Sequence, residues 1–86
     1  MAKLVVHHRA ARYLQRLDAR LKAQVLAKLA ELAANPGAMP GVKPMAGEWA
    51  GFLRMRHGDL RIIFLHDRAG DTVVVAHVGP RGDVYK

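Results

Sequence analysis

The feature that most limits what this chain can fold into is a change of hydrophobic period near its middle. Before residue 35 apolar side chains recur at helical spacing, and beyond residue 47 they alternate with polar ones, the two-residue period of a strand. Helices and a half-buried sheet each have one face to hide, so the two halves of the chain must cover each other. Residues 3–7 read as a short first strand. From Arg9 a helix begins, with Ala11, Leu14 and Leu17 on one face and Arg9, Arg12 and Arg16 on the other. Asp18 interrupts it and is placed to N-cap a second helix. That helix runs to about Ala34, with Leu21, Val25, Leu29 and Leu32 as its apolar stripe, and Asn35-Pro36-Gly37 stops it.

Residues 35–47 hold three prolines and three glycines and read as a loop, long enough to have a function or to be tied down by packing. Three strands follow, at 49–56, 60–66 and 72–78. His57-Gly58-Asp59 and the segment 67–71 join them as antiparallel neighbours. Gly79-Pro80 is expected to end regular pairing. The expectation is one α+β domain over residues 1–86: a short N-terminal strand and an αα-hairpin packed on an antiparallel sheet of about four strands.

Composition narrows the function classes. There is no cysteine, which removes disulfides and thiolate metal sites. No segment approaches the ~20 apolar residues of a membrane span, and the apolar start is too short for a signal peptide, so a cytoplasmic location without membrane contact is expected. Fourteen Lys and Arg against seven Asp and Glu give a net charge of +7. That excess favours a polyanionic partner, nucleic acid or an acidic protein segment. Nine of the fourteen cations are arginine, whose planar fork suits phosphate.

Strand alternation then sorts the arginines. Leu53 and Met55 point one way and Phe52, Arg54 and Arg56 the other; Leu60, Ile62 and Phe64 share a face opposite Arg61, Ile63 and Leu65. A hairpin can thus bring Arg54, Arg56 and Arg61 onto one exposed face, with Arg81 joining from beyond the last strand. Guanidiniums so gathered repel one another unless an anion lies between them, which is a phosphate-binding pattern. The same alternation is also what any solvated sheet face displays, and the residues alone leave both readings open.

The stretch Leu53-Arg54-Met55-Arg56-His57-Gly58-Asp59-Leu60-Arg61-Ile62-Ile63-Phe64 resembles the basic hairpin of the RelE/ParE toxin superfamily. The tail Val78-Gly79-Pro80-Arg81-Gly82-Asp83-Val84-Tyr85 is similar to its ending, and the order of elements upstream agrees. The closer likeness is to the RelE-type messenger-RNA interferases of type II toxin–antitoxin systems. The resemblance implies an endoribonuclease that cuts the codon in the ribosomal A site without metal or other cofactor. A ribose 2′-OH would attack its own adjacent phosphate.

In that frame Arg61 would hold the scissile phosphate. Arg81 would stabilise the transition state or assist the leaving 5′-oxygen, Arg54 would act on the 2′-OH or phosphate, and Tyr85 would stack on or orient a base. Arg56, His57 and Lys43 are the further substrate-binding candidates. The resemblance also implies a cognate antitoxin, acidic and apolar, held with the toxin in a hetero-oligomer, and the ribosome and messenger RNA as targets.

The sequence departs from the family pattern at Phe52, near a position that is lysine in family nucleases, and at Leu60, where an aromatic is common. Arg54 replaces lysine and is a poor general base, because guanidinium does not deprotonate in proteins. His57 and His77 are alternatives for the proton, since imidazole titrates near neutrality. His7, His8 and His66 read as structural or solvent-facing, and Trp49 as an anchor at the loop-to-strand corner. Two other functions share the fold: a ParE-like toxin that inhibits gyrase, and an inactive member that serves as a binding module.

Overall fold

A computed structural model of the chain describes residues 2–36 and 39–80. Strand β1 (Lys3–Val6) leads into helix α1 (His8–Gln15) and helix α2 (Ala19–Ala34). A two-residue strand β2 (Lys43–Pro44), a 3-10 turn (Gly47–Trp49) and strands β3 (Leu53–His57), β4 (Leu60–Asp67) and β5 (Thr72–Pro80) follow. The strands form one sheet in the order β1-β5-β4-β3-β2. The α+β class holds, but among the described residues the sheet has five strands rather than about four and is mixed, because β1 runs parallel to β5.

The helices begin where their caps direct. His7 Nδ1 accepts from the Arg9 backbone N–H at 3.2 Å, and Asp18 Oδ1 accepts from that of Leu21 at 2.9 Å. Each cap satisfies one of the amide donors that a helix start leaves without an internal partner. Replacing Asp18 by Ala is expected to cost about 1 kcal/mol, roughly 4–8 °C in melting temperature for a domain of this size. Asp18→Asn should keep most of it. A thermal melt in which Asp18→Ala matches the parent would remove the cap from this account.

Leu14, Val25, Leu29 and Leu32 are buried and meet Met55, Leu60, Ile62, Phe64, Val73, Val75 and Val78 of the sheet. In α1 Leu14 and Leu17 pack on the core as expected, but the small residue buried with them is Ala10, whereas Ala11 is half-buried. Three boundaries differ from expectation for physical reasons. Trp49 lies in the 3-10 turn, and β3 starts only at Leu53. The loop after α2 contains the two residues of β2, too short to carry a period. Strand β5 runs through Pro80, which stands opposite Leu60 at the strand's very end, where a missing N–H is tolerated.

The β3–β4 connection is a two-residue loop between the paired His57 and Leu60. Its first residue, Gly58, has φ +59°, the position that a II′-type hairpin turn reserves for glycine. At the other hairpin, Asp67 Oδ1 accepts from the backbone N–H of Ala69 at 3.1 Å, and His66 Nε2 lies 3.1 Å from Asp71 Oδ1. These local bonds fix the register that decides which side chains share a face. Among the described residues, no helix is long and apolar enough to cross a membrane.

Candidate functional site

The helices cover one face of the sheet, and the site lies on the other. Arg56 pairs with Arg61, and Arg54 with Ile63. Lys43 stands opposite Arg54, and His77 opposite Ile63. Directly opposed residues project to the same side of a sheet, so two rows cross the face that the helices leave uncovered. One row is Lys43, Arg54, Ile63 and His77. The other is Arg56, Arg61 and Gly79.

Burial grades the four cations. Lys43 and Arg56 are exposed and Arg54 is half-buried, but Arg61 retains only 2% of its accessible surface. The expectation that the arginines share an exposed face therefore holds for Arg56 and fails for Arg61. Its neighbour Ile63 is also fully buried, so this side of the sheet is not a bare solvated surface. Part of the cover is aromatic. The Trp49 ring meets Phe52 edge-on at 5.2 Å between centroids and lies 6.4 Å from the His77 ring. Trp49 is thus an anchor, as its place at the corner implied, and it anchors over the site face. Arg61 has an interaction partner, as burial of a guanidinium requires, and so has the exposed Arg56.

Pro40, Gly41, Lys43, Arg54 and Arg56 line a recess of about 250 Å³ at the β2 edge of this face. Pockets for drug-sized ligands run from ~300 to 1,000 Å³, so the recess suits a phosphate or part of a nucleotide. Gly41 forms its wall with φ +79°, a backbone state that side chains other than glycine's rarely adopt. The sequence pattern points to Lys43 but not to the Pro40-Gly41 wall. Two prolines and two glycines near a lysine were the available signal.

His57 does not join the cluster. It sits on the helix side of β3, with Nε2 3.2 Å from the Gln24 Oε1 of α2, a bond in which the imidazole N–H donates. The alternation places it there, since it shares a face with Leu53 and Met55. His77 reaches the site face through a bulge: Ile63 pairs with His77 but the next residue, Phe64, pairs with Val75, which leaves Ala76 as the extra residue. Without that bulge, strict alternation from Val73 and Val75 would drive the imidazole into the core. Its Nε2 is buried and has no hydrogen-bond partner among the described residues. Arg81 and Tyr85, the two further candidates, lie outside the described residues. Among the described residues no group of three His, Cys, Asp or Glu stands close enough to hold a metal ion.

This basic, partly roofed sheet face can be set against known proteins. Residues 4–85 match the family model described as the ParE toxin of type II toxin–antitoxin systems, parDE. The chain belongs to that family. The toxin's fold is shared with solved RelE proteins. It aligns with the RelBE2 toxin–antitoxin complex from Mycobacterium tuberculosis at 28% identity and a TM-score of 0.80, over 93% of this chain and 98% of that one. It matches the RelE–RelB complex from Pyrococcus horikoshii at 22% identity and a TM-score of 0.81, over 95% and 97% of the two chains. The isolated Escherichia coli RelE toxin matches at 20% identity and a TM-score of 0.77, over 99% and 92%. The latter two likenesses speak for the fold alone. Among curated proteins there is no match. The resemblance to the RelE/ParE superfamily is thereby established, and with it the coarse function of a type II toxin.

Proposed function

We propose that this toxin is a metal-independent endoribonuclease that cuts messenger RNA in the ribosomal A site. The observation that carries the reading is that Lys43, Arg54 and Arg56 line a phosphate-sized recess on one sheet face, with the buried Arg61 beside Arg56 on the same face. Such a face is built for closely spaced backbone phosphates. The reaction is attack of a 2′-OH on the adjacent phosphorus. A 2′,3′-cyclic phosphate forms, and the bond to the 5′-oxygen of the next nucleotide breaks. The nucleophile is part of the substrate, so alignment supplies much of the rate and the chemistry calls for no metal.

Arg61 takes the scissile phosphate. Being buried, its guanidinium is held in place before substrate arrives and acts in a medium of low dielectric, where charge on a phosphorane is stabilised most. Arg54, Arg56 and Lys43 hold the flanking phosphates. Arg81 serves the transition state or the leaving oxygen, and Tyr85 stacks on a base. Of the two histidines that could take the 2′-OH proton, His57 faces the helices, whereas His77 shares the cationic face. The proton is therefore assigned to His77.

The toxin of RelBE2 and the archaeal RelE are each recorded in complex with their antitoxins. By the same reading this chain has a cognate antitoxin, acidic to meet its net charge of +7 and apolar to cover the exposed Leu4, Val5 and Leu26. A second target is favoured by one observation, the ParE description of the family model: gyrase, poisoned without RNA cleavage.

Purified toxin incubated with ribosomes that hold a defined A-site codon separates the two. The expected product is a cut inside that codon with a 2′,3′-cyclic phosphate end. Arg54→Ala and Arg56→Ala should each slow it at least tenfold, about 1.4 kcal/mol of transition-state stabilisation. Intact message together with blocked supercoiling by gyrase would overturn the proposal in favour of the second target.

A further inference from the structure

Trp49 does more on the site face than close a corner. Its ring lies between two partners, Phe52 at 5.2 Å and His77 at 6.4 Å between centroids. Phe52 stands two residues before Arg54 at the entry to β3, and His77 shares the row of Arg54 through Ile63. The indole therefore sits beside the cationic rows. It is only half-buried, so part of the ring is open to solvent. Its contact with Phe52 is edge-on, at 89° between the planes, and an edge contact braces a ring without covering both of its faces.

The sheet face around this ring is divided by chemistry. Arg54, Arg56 and Arg61 occupy the rows nearer the β3–β4 turn, and the next row along the strands is apolar. In that row Leu65 pairs with Val74, and both are half-buried. Phe52 stands level with them, one step before the Leu53–Phe64 pair. Two residues of strand advance about 6.6 Å, comparable with the reach from a backbone phosphate to its own base. Charge and apolar surface thus change over on the scale of one nucleotide, which is itself an anion joined to a flat ring. A single strand laid across the face sets its phosphates on the arginines and a base against Trp49.

We infer that Trp49, braced by Phe52, is the stacking platform for the base on the 5′ side of the cut, which deepens the proposed nuclease function and rests on it. The neighbour of the ring decides which base this is. His77, to which the 2′-OH proton is assigned, adjoins Trp49, so a base stacked there belongs to the nucleotide that carries the attacking hydroxyl. Stacking on an aromatic side chain accepts every base, because each has a π-face, and its preferences come from stacking strength. The fused rings of adenine and guanine overlap an indole more than the single ring of uracil or cytosine. The toxin therefore favours a purine on the 5′ side of the cut. Trp49 is a binding and specificity residue, and the chemistry stays with Arg61 and His77.

Trp49 is the single tryptophan of the chain, so its fluorescence reports on the platform directly. The test is titration of the purified toxin at low salt with a short oligoadenylate of 2′-O-methyl RNA, which has no free 2′-OH and cannot be cut. The same backbone without bases is the control. Oligoadenylate should quench Trp49, and the abasic backbone should not. By anisotropy of the labelled probes, Trp49→Leu should bind oligoadenylate about tenfold more weakly, lose less on oligouridylate and bind the abasic backbone as the parent does. Trp49→Phe should recover most of the loss. Leucine keeps an apolar cover at the corner but cannot stack, so this pattern separates a platform from packing. Arg54→Ala should weaken all three probes alike. Unchanged Trp49 emission at saturating oligoadenylate, or parental adenine affinity in folded Trp49→Leu, would overturn the inference. So would a parent that binds none of the probes, or quenching by an acidic peptide and not by RNA, which would make the ring part of the antitoxin surface. None of these probes is cleaved, so the nuclease reading stands or falls separately, on programmed ribosomes. Should Trp49→Leu not fold, quenching in the unaltered toxin decides the question.

Discussion

Arg61→Ala is expected to lower RNA cleavage at least tenfold and to be the most damaging single change on the described part of the site face, with the fold retained. The reason is its burial. An exposed arginine such as Arg56 loses contact energy that water partly replaces, whereas Arg61, with 2% of its surface accessible, acts where the dielectric is low and charge counts for most. Tenfold corresponds to about 1.4 kcal/mol. Arg61→Lys keeps the charge but not the planar two-pronged fork, so it should recover only part of the rate. Single-turnover cleavage on programmed ribosomes, with circular dichroism to confirm the helices, reads the effect. Parental rates in a folded Arg61→Ala protein would remove the phosphate clamp.

The largest effect on stability is expected at Phe64. It lies at the centre of β4, fully buried, paired with Leu53 on one side and Val75 on the other. Truncating a buried phenylalanine to alanine costs about 3–5 kcal/mol, the lost transfer energy plus that of the cavity left behind. Small domains have ~5–15 kcal/mol in total, so Phe64→Ala should leave the toxin close to unfolding, with its melting temperature lowered by on the order of 15–30 °C. Urea titration of the parent and the variant gives the number. A loss below about 1 kcal/mol would mean that the core closes over the site and that Phe64 is not its centre.

What could be read from the sequence was local. The Asp18 cap, the stripe Val25, Leu29 and Leu32, and the Gly58 turn each depend on residues within one turn or one hairpin, and each is found in place. The shared face of Arg54, Arg56 and Arg61 followed from the hairpin register for the same reason. What stayed hidden depends on pairing between distant segments. The parallel contact of β1 with β5 joins residues about 70 apart, and no local period announces it. The two residues of β2 become a strand only because β3 lies beside them. The bulge at Ala76 turns His77 toward the site, although the valine run of β5 gives no sign of a break in alternation. Arg61 was expected at the surface because alternation assigns it to the non-core side. That the same side is roofed, with Trp49 over it beside His77, is a tertiary fact.

The central claim is that this toxin cuts messenger RNA on the ribosome, and one measurement addresses it most directly. The protein is induced in bacterial cells, and RNA 5′ ends are mapped across all transcripts within minutes, beside an Arg61→Ala control. The account predicts new ends inside translated codons, spaced in the reading frame and absent in the control. Growth arrest with intact messages and broken DNA would contradict it.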